Sequence, residues 1–289
     1  MEPKGAPVLV SRRRSRIIEE ARRRGAASIS LLADELGVSP MTIRRDIDAL
    51  AAEGLVDKVR GGVALPRATG SGAQAFDSRK GRMPLEKRAI ARRAAGLVKP
   101  GMAVALSSGT TIWALAQELR SVPELTIVTN SLPVADLFAR PERADEPYTQ
   151  TVVLTGGVRT PSEALVGPVA VRTLEHLHCD IAFLGVHGMD VSAGFTATNL
   201  LEAETDRALV AAGGQAVVLA DSGKWGVVGL TTILDLNDVD RLVTDDGLPP
   251  EARAELDARV RELWVVPVGT EVVVDDVDID EFAPTRARR

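Results

Sequence analysis

Ser39–Gly62, SPMTIRRDIDALAAEGLVDKVRGG, is the stretch from which the rest of the chain is best read. Ser39 is a favourable helix N-cap, and Pro40 sits at the first helical position, where its missing N–H costs nothing. Ile43, Ile47 and Leu50 recur at i, i+4 and i+7, so one face is apolar and turns inward. The other face carries Met41, Arg45 and Asp48, flanked by Thr42 and Arg44. Adjacent arginines near the start of a short amphipathic helix suit contacts to nucleic-acid phosphates and guanine edges. Gly54 is a helix stop. Leu55–Val59 and Val63–Leu65 are then expected to pair across Arg60-Gly61-Gly62 as a small basic hairpin containing Lys58 and Arg60.

The preceding residues are consistent with this reading. Ser11 caps an expected helix over Arg12–Arg24 with Ile17, Ile18 and Ala21 as its inner face, and Gly25 ends it. Ser28–Leu36 is a second short helix with Leu31, Leu32 and Leu36 inward. Gly37-Val38-Ser39 then turns tightly into the third. Helix, turn and helix at this spacing is the helix-turn-helix plan, whose second helix enters the major groove. A three-helix domain that mediates protein contacts fits the periodicity alone. The double arginine and the glycine-tipped basic hairpin favour DNA.

Charge divides the chain. Residues 1–99 hold 21 Lys and Arg against 11 Asp and Glu, whereas residues 100–289 hold 14 against 29. A basic N-terminal part on an acidic body places the polyanion contact in the former. A chain of 289 residues, 45% hydrophobic, has room for two domains with proper cores. No apolar run is long enough to cross a membrane, and Met1–Val10 lacks a signal-peptide core. The single cysteine, Cys179, excludes an intrachain disulfide and reads as a small buried hydrophobe. The expected location is cytoplasmic.

Residues 1–10 read as a disordered tail, 11–66 as the DNA-binding domain, 67–84 as a linker and 85–289 as a larger α/β domain. Pro66–Gly81 is rich in Ala, Gly, Ser and Thr, as linkers are. Beyond it, a helix is expected over Ala89–Leu97. Apolar strands follow at Ala103–Leu106, Thr126–Thr129, Thr151–Leu154, Ile181–Leu184, Ala216–Leu219 and Arg241–Thr244. Helices lie between them, among them Trp113–Arg120 and Glu202–Ala212. Continuous apolar strands alternating with helices predict a mostly parallel, Rossmann-like sheet covered on both faces. The acidic Val272–Glu281 is a last strand or a disordered tail.

Ligands of such folds bind beyond the carboxyl ends of strands. Ser107-Ser108-Gly109-Thr110-Thr111 joins one strand to a helix, and a hydroxyl-rich helix start presents N–H donors to an anion such as phosphate. Other strand ends are Thr129-Asn130-Ser131, Gly156-Gly157, Gly185–Asp190 and Asp221-Ser222-Gly223-Lys224, the last supplying a cation. His187 is placed to bond ligand hydroxyls. The His176, His178 and Cys179 run has no matching cluster elsewhere, so no metal is expected.

Together these residues resemble the DeoR family of bacterial transcription regulators over about Ser11 to Asp245. The N-terminal motifs are TIRRDI (Thr42–Ile47), EGL (Glu53–Leu55) and RGG (Arg60–Gly62), followed by the pair Phe76 and Arg79. The C-terminal ones are SGTT (Ser108–Thr111), VTNSL (Val128–Leu132), TGG (Thr155–Gly157), VGP (Val166–Pro168) and ADSGKWG (Ala220–Gly226). The resemblance implies a winged helix-turn-helix domain joined to a sensor domain related to ribose-5-phosphate isomerase. It implies a repressor of carbohydrate-metabolism genes that binds a phosphorylated sugar, acts as a homo-oligomer and uses no cofactor. By that resemblance Ser39, Thr42, Arg44, Arg45, Lys58 and Arg60 meet double-stranded operator DNA. Ser108, Gly109, Thr110, Thr111 and Lys224 hold the phosphate, and Asn130, Gly156, Gly157 and Asp190 line the sugar end. Ser107 departs from the family, many of whose members carry an acid there. The competing readings are a sugar-phosphate isomerase using Asp190, Glu202, Glu204 and Lys224, and an activator sensing another anion.

Overall fold

The computed structural model describes residues 10–24, 26–52, 56–59, 61–64, 76–139 and 150–269. The N-terminal tail, the stops at Gly25 and Gly54, Arg60 at the hairpin tip, residues 65–75 of the expected linker and the acidic Val272–Glu281 lie outside them.

The first domain runs α1 (Val10–Arg24), β1 (Ala26–Ser28), α2 (Ile29–Leu36), α3 (Pro40–Ala52), β2 (Asp57–Val59) and β3 (Gly62–Ala64). The apolar positions read from the sequence form its core: Ile17, Ala21, Leu32, Ile43, Ile47 and Leu50 are all buried. Gly37, at φ 64°, takes the left-handed conformation that turns α2 towards α3. Ser39 caps α3, its Oγ accepting from the Thr42 amide at 3.1 Å. The hairpin pairs as expected, with Val59 opposite Gly62. A third strand, β1, adds antiparallel to β3, an addition too short to show in the sequence pattern.

A buried ion pair ties α1 to α3. Asp46 faces inward on α3, and its carboxylate accepts from Arg13 Nε and, at 3.4 Å, from Arg14 Nε. The Asp46 side chain is only 5% exposed, and the two guanidiniums give it the partners that burial of a polar group requires.

The second domain opens with α4 (Phe76–Lys80) and α5 (Pro84–Ala95). The expected linker therefore ends earlier than Pro84: Phe76 is buried and its ring meets Trp113 edge-on at 6.3 Å. There follow β4 (Ala103–Leu106), α6 (Thr110–Leu119), β5 (Thr126–Thr129), α7 (Leu132–Phe138) and β6 (Thr151–Leu154). A short ribbon of β7 (Val158–Arg159) and β8 (Leu165–Val166) leads to α8 (Pro168–Leu174) and β9 (Ile181–Gly185). Next come β10 (Gly188–Asp190), β11 (Gly194–Ala197), α9 (Leu200–Ala211), β12 (Ala216–Leu219) and β13 (Thr231–Leu234). The described chain closes with β14 (Arg241–Asp245), α10 (Pro250–Asp257) and β15 (Leu263–Val266).

Seven strands form one parallel sheet in the order β15-β14-β12-β9-β4-β5-β6. Strand residues alternate between two buried faces. Val104, Leu106, Phe183, Val217 and Leu219 pack with Ile90 of α5, Ile112 and Leu115 of α6, and Phe138 of α7. On the other face Ala105, Ala182 and Val128 pack with Leu174 of α8 and Leu209 of α9. Leu184, Val218 and Leu242 there meet Leu256 of α10. β10, β11 and β13 make a small antiparallel sheet, with Phe195 and Ile233 packed into that second face.

The strand order reverses between β4 and β9. Chain progression runs outward from β4 to β6 on one side and from β9 to β15 on the other. At such a reversal the flanking loops part in opposite directions and leave a crevice at the strands' carboxyl ends.

Asp46→Ala should lower the stability of the N-terminal domain by about 3 kcal/mol, because it leaves Arg13 and Arg14 beside a vacated acid position. Urea unfolding followed by a probe in that domain measures it. A loss below about 1 kcal/mol would mean the pair behaves as a solvent-screened one.

Candidate functional site

The crevice predicted by the topology is a cavity of about 130 Å³. That is below the roughly 300–1,000 Å³ of a drug-sized pocket and suits a small polar molecule. Ser108–Thr111 after β4 and Gly185–His187 after β9 form its two banks. Asp221, Gly223 and Lys224 enter from the turn after β12. Arg79, Arg82, Met83 and Lys87 come from α4, the turn behind it and α5. Glu202 and Asp206, one turn apart on α9, and Ser162 close it.

The floor of the cavity is held by backbone-directed bonds. Ser107, fully buried, accepts the Gly185 amide at 2.9 Å through its Oγ and so stitches β4 to β9 below the cavity. The start of α6 has Gly109 as its N-cap and no side-chain cap. Its first-turn N–H groups therefore face the cavity rather than a capping oxygen, whereas Ser131 caps α7 and Asn199 caps α9.

Electrostatics decide what the cavity takes. Four cationic side chains, Arg79, Arg82, Lys87 and Lys224, converge on it. Burial lowers the Lys224 pKa, Asp221 opposes that shift, and Arg79 and Arg82 add to it. Burial, with repulsion from Lys224, Arg79 and Arg82, brings Lys87 down to about 8. His187 is pushed down to about 4 by burial first and then by the same three cations. Asp206 is fully buried, and burial together with Glu202 raises its pKa well above the ordinary carboxylate range. Glu202 accepts a short bond from Ser162 Oγ. The protonated forms of Arg79, Lys87 and Lys224 are each disfavoured, by burial first, a cost that a bound anion would offset.

Among the residues expected to bind the ligand, Ser108, Gly109, Thr110, Thr111 and Lys224 line this cavity. Asn130, Gly156, Gly157 and Asp190 do not line it, and for Asp190 and Gly157 the structure shows another role. The Asp190 carboxylate caps the β10–β11 turn, accepting from the Ser192 hydroxyl at 2.7 Å and from the Ser192 and Ala193 amides at 2.8 and 3.1 Å. Those bonds also hold its pKa down. Gly156 and Gly157 follow β6, the outer strand beyond β5. At Gly157, φ is 120° and a Cβ would stand 2.6 Å from the Val166 carbonyl oxygen, so chain packing requires glycine. Asn130 ends β5; its backbone carbonyl accepts from Leu165, and its amide side chain is buried without a hydrogen-bond partner among the described residues. His187 lines the cavity, as placed from the sequence. Arg79, Arg82, Lys87, Glu202 and Asp206 are cavity residues the sequence reading did not assign to ligand binding.

On the N-terminal domain, Ser39, Arg44, Arg45 and Lys58 are exposed and Thr42 is half-buried. The Ser39 and Thr42 hydroxyls bond each other at 2.9 Å at the start of α3. Lys58 on the wing reaches Asp48 on α3 at 2.9 Å, a solvent-exposed pair that joins the two elements. Arg44 and Arg45 stand on the surface opposite the buried Ile43 and Ile47.

A family model described as the DeoR C terminal sensor domain matches residues 83–246, and one described as the DeoR-like helix-turn-helix domain matches residues 13–69. An uncharacterized HTH-type transcriptional regulator of Bacillus subtilis, YulB, is 33% identical, covering 90% of this chain and 98% of its own. The glycerol-3-phosphate regulon repressor of Haemophilus influenzae is 31% identical, covering 82% and 89%. A solved ribose 5-phosphate isomerase from Methanocaldococcus jannaschii overlaps 49% of this chain and 54% of its own, at 19% identity and a TM-score of 0.35, a likeness that carries no argument about chemistry.

His187 is expected to titrate near 4 in the folded chain rather than near its ordinary 6.5. Between those values the unfolded chain holds the proton and the folded chain does not, so stability falls as the pH drops through that window. Proton NMR of the imidazole against pH reads the midpoint directly, and His187→Gln should flatten the corresponding part of the stability profile. A midpoint near 6.5 would show a solvated ring outside the cation cluster.

Proposed function

The chain belongs to the DeoR family of transcriptional regulators, and from that premise we propose that it represses a carbohydrate-metabolism operon and is released from the operator by a phosphorylated sugar or sugar derivative. The observation that carries this reading is the convergence of Arg79, Arg82, Lys87 and Lys224 with the uncapped start of α6 in one small cavity. A phosphate dianion fits that set: it accepts from helix N–H groups and charge-assisted donors at once. Polar groups remain for the rest of the ligand: His187, neutral as donor or acceptor, and Asp206, whose raised pKa, caused first by burial, favours its protonated form. The name of one relative, the glycerol-3-phosphate regulon repressor, points to the same class of phosphorylated compound.

The output is the exposed face of α3. Arg44 and Arg45 reach base edges and phosphates in the major groove, and Ser39, Thr42, Lys58 and Arg60 contact the backbone around it. The protein acts in the cytoplasm as a homo-oligomer, a dimer or tetramer. Two-fold pairing places recognition helices about 34 Å apart to match operator half-sites. The ligand acts by favouring a sensor arrangement that misaligns them, and it shifts occupancy only by its differential affinity for the two arrangements. The role is regulation rather than catalysis: the basic DNA-facing domain shares the chain with the cavity. Turnover of aldose and ketose phosphates by the purified protein would instead favour an isomerase.

Binding to DNA from the region upstream of its own operon, followed by fluorescence anisotropy at fixed salt, tests the switch. Lys224→Ala should bind this DNA as the wild type does but lose release by the phosphorylated sugar. Arg45→Ala should lose about 1–3 kcal/mol of specific affinity. If no phosphorylated sugar in a broad panel alters wild-type DNA binding, the sensor half of this reading fails.

A further inference from the structure

The cavity's cations come from unequal places. Lys224 and the start of α6 belong to the sheet's own loops. Arg79 and Arg82 belong to the segment that runs from the DNA-binding domain into the sensor, with Arg79 on α4, the first described element after β3. Two facts about Arg79 stand out. Its guanidinium Nε and Nη2 are buried and have no hydrogen-bond partner among the described residues. Its backbone carbonyl accepts from Lys87 Nζ at 2.7 Å, so a second cavity cation grips the same turn of chain. A buried guanidinium with two unmatched N–H donors on a cavity wall is an unfinished anion site, since such a fork matches two oxygens of a phosphate or carboxylate.

Among the described residues, α4 is further anchored on one ring. Phe76 meets the Trp113 ring edge-on at 6.3 Å, and Lys80 Nζ lies 3.8 Å from the centroid of the same ring. Trp113 is on α6, the helix whose start lines the cavity. Among the described residues, the segment is thus seated on the Trp113 ring and brings to the cavity wall a guanidinium whose Nε and Nη2 lack hydrogen-bond partners. A five-residue helix cannot hold itself, because helix formation has a costly nucleus.

We propose that Arg79 is a ligand contact which takes oxygens of the bound anion, and that the ligand thereby fixes α4 on the sensor body. The signal would then pass through the covalent chain itself: the ligand sets the position of the segment from which the DNA-binding domain is suspended. The proposal rests on reading the cavity as an anion site and adds the element that carries the response. Arg82 flanks the same wall and reinforces the field there.

Inorganic phosphate is the probe, used with the full-length chain. Two readouts are taken, phosphate affinity by thermal shift and amide hydrogen exchange over residues 76–83. Phosphate should raise the wild-type melting temperature and slow exchange across 76–83. Arg79→Gln should bind phosphate about tenfold more weakly, as expected for loss of one charge-assisted pair, and show no slowing in that segment. Arg79→Lys, which keeps the charge and loses the fork, should recover part of the affinity and less of the slowing. Phosphate binding to Arg79→Gln at wild-type strength, or wild-type binding that leaves 76–83 exchange unchanged, overturns the proposal and leaves the anion site standing. Absence of any phosphate stabilisation in the wild type overturns the anion site and the proposal together.

Discussion

The reversal of strand order between β4 and β9 is the constraint on which the sensor domain depends. It sends α6 and α7 to one face and α8, α9 and α10 to the other, and so opens the sheet at its carboxyl edge. Everything chemically distinctive in this domain meets there. The start of α6 and the Gly185–His187 loop are its banks, and Ser107 holds the banks together through the Gly185 amide. Among the described residues, no other pair of adjacent parallel strands has the chain diverging between them in this way.

Burying like charges in such a crevice is unfavourable, and the pKa directions register the cost. Lys87, Lys224 and Arg79 all have their protonated forms destabilised, with burial the largest cause in each. Asp221 and Glu202 offset part of it without forming a closed set of ion pairs. The proposed anion would supply a partner for several of these groups at once, which is the physical basis of that reading. Burial first, and then repulsion from Lys224, Arg79 and Arg82, lowers the His187 pKa and favours its neutral form.

Most of the architecture was legible because apolar runs and strand ends are local signals. Ala103–Leu106, Thr126–Thr129, Thr151–Leu154 and Ala216–Leu219 have the bounds expected of them, each a short apolar strand closed by polar or glycine residues. β15 (Leu263–Val266), a four-residue edge strand, was not among the strands expected from the sequence. The ligand site was legible only in part. Sequence shows which residues end strands but not the order of the strands. Asn130 and Gly156 end β5 and β6, which lie outward from the reversal, so they share the edge of the sheet without sharing the cavity. Asp190 sits in the small antiparallel sheet and is spent on its own turn. Arg79 and Arg82 were hidden for a different reason. They follow a stretch of Gly, Ser and Ala with no periodicity, and the contacts that seat this segment, Phe76 and Lys80 on Trp113 and Lys87 on the Arg79 carbonyl, are ones no local pattern shows.

The central claim is that charge, and specifically phosphate, decides what the cavity accepts. Isothermal titration of the full chain with one sugar in its phosphorylated and unphosphorylated forms, taken through a panel of such pairs at constant salt, tests it most directly. The account predicts that for the cognate pair the phosphorylated member binds and the free sugar gives no detectable heat, with binding weakened as salt rises. A free sugar that binds as tightly as its phosphate ester would contradict it.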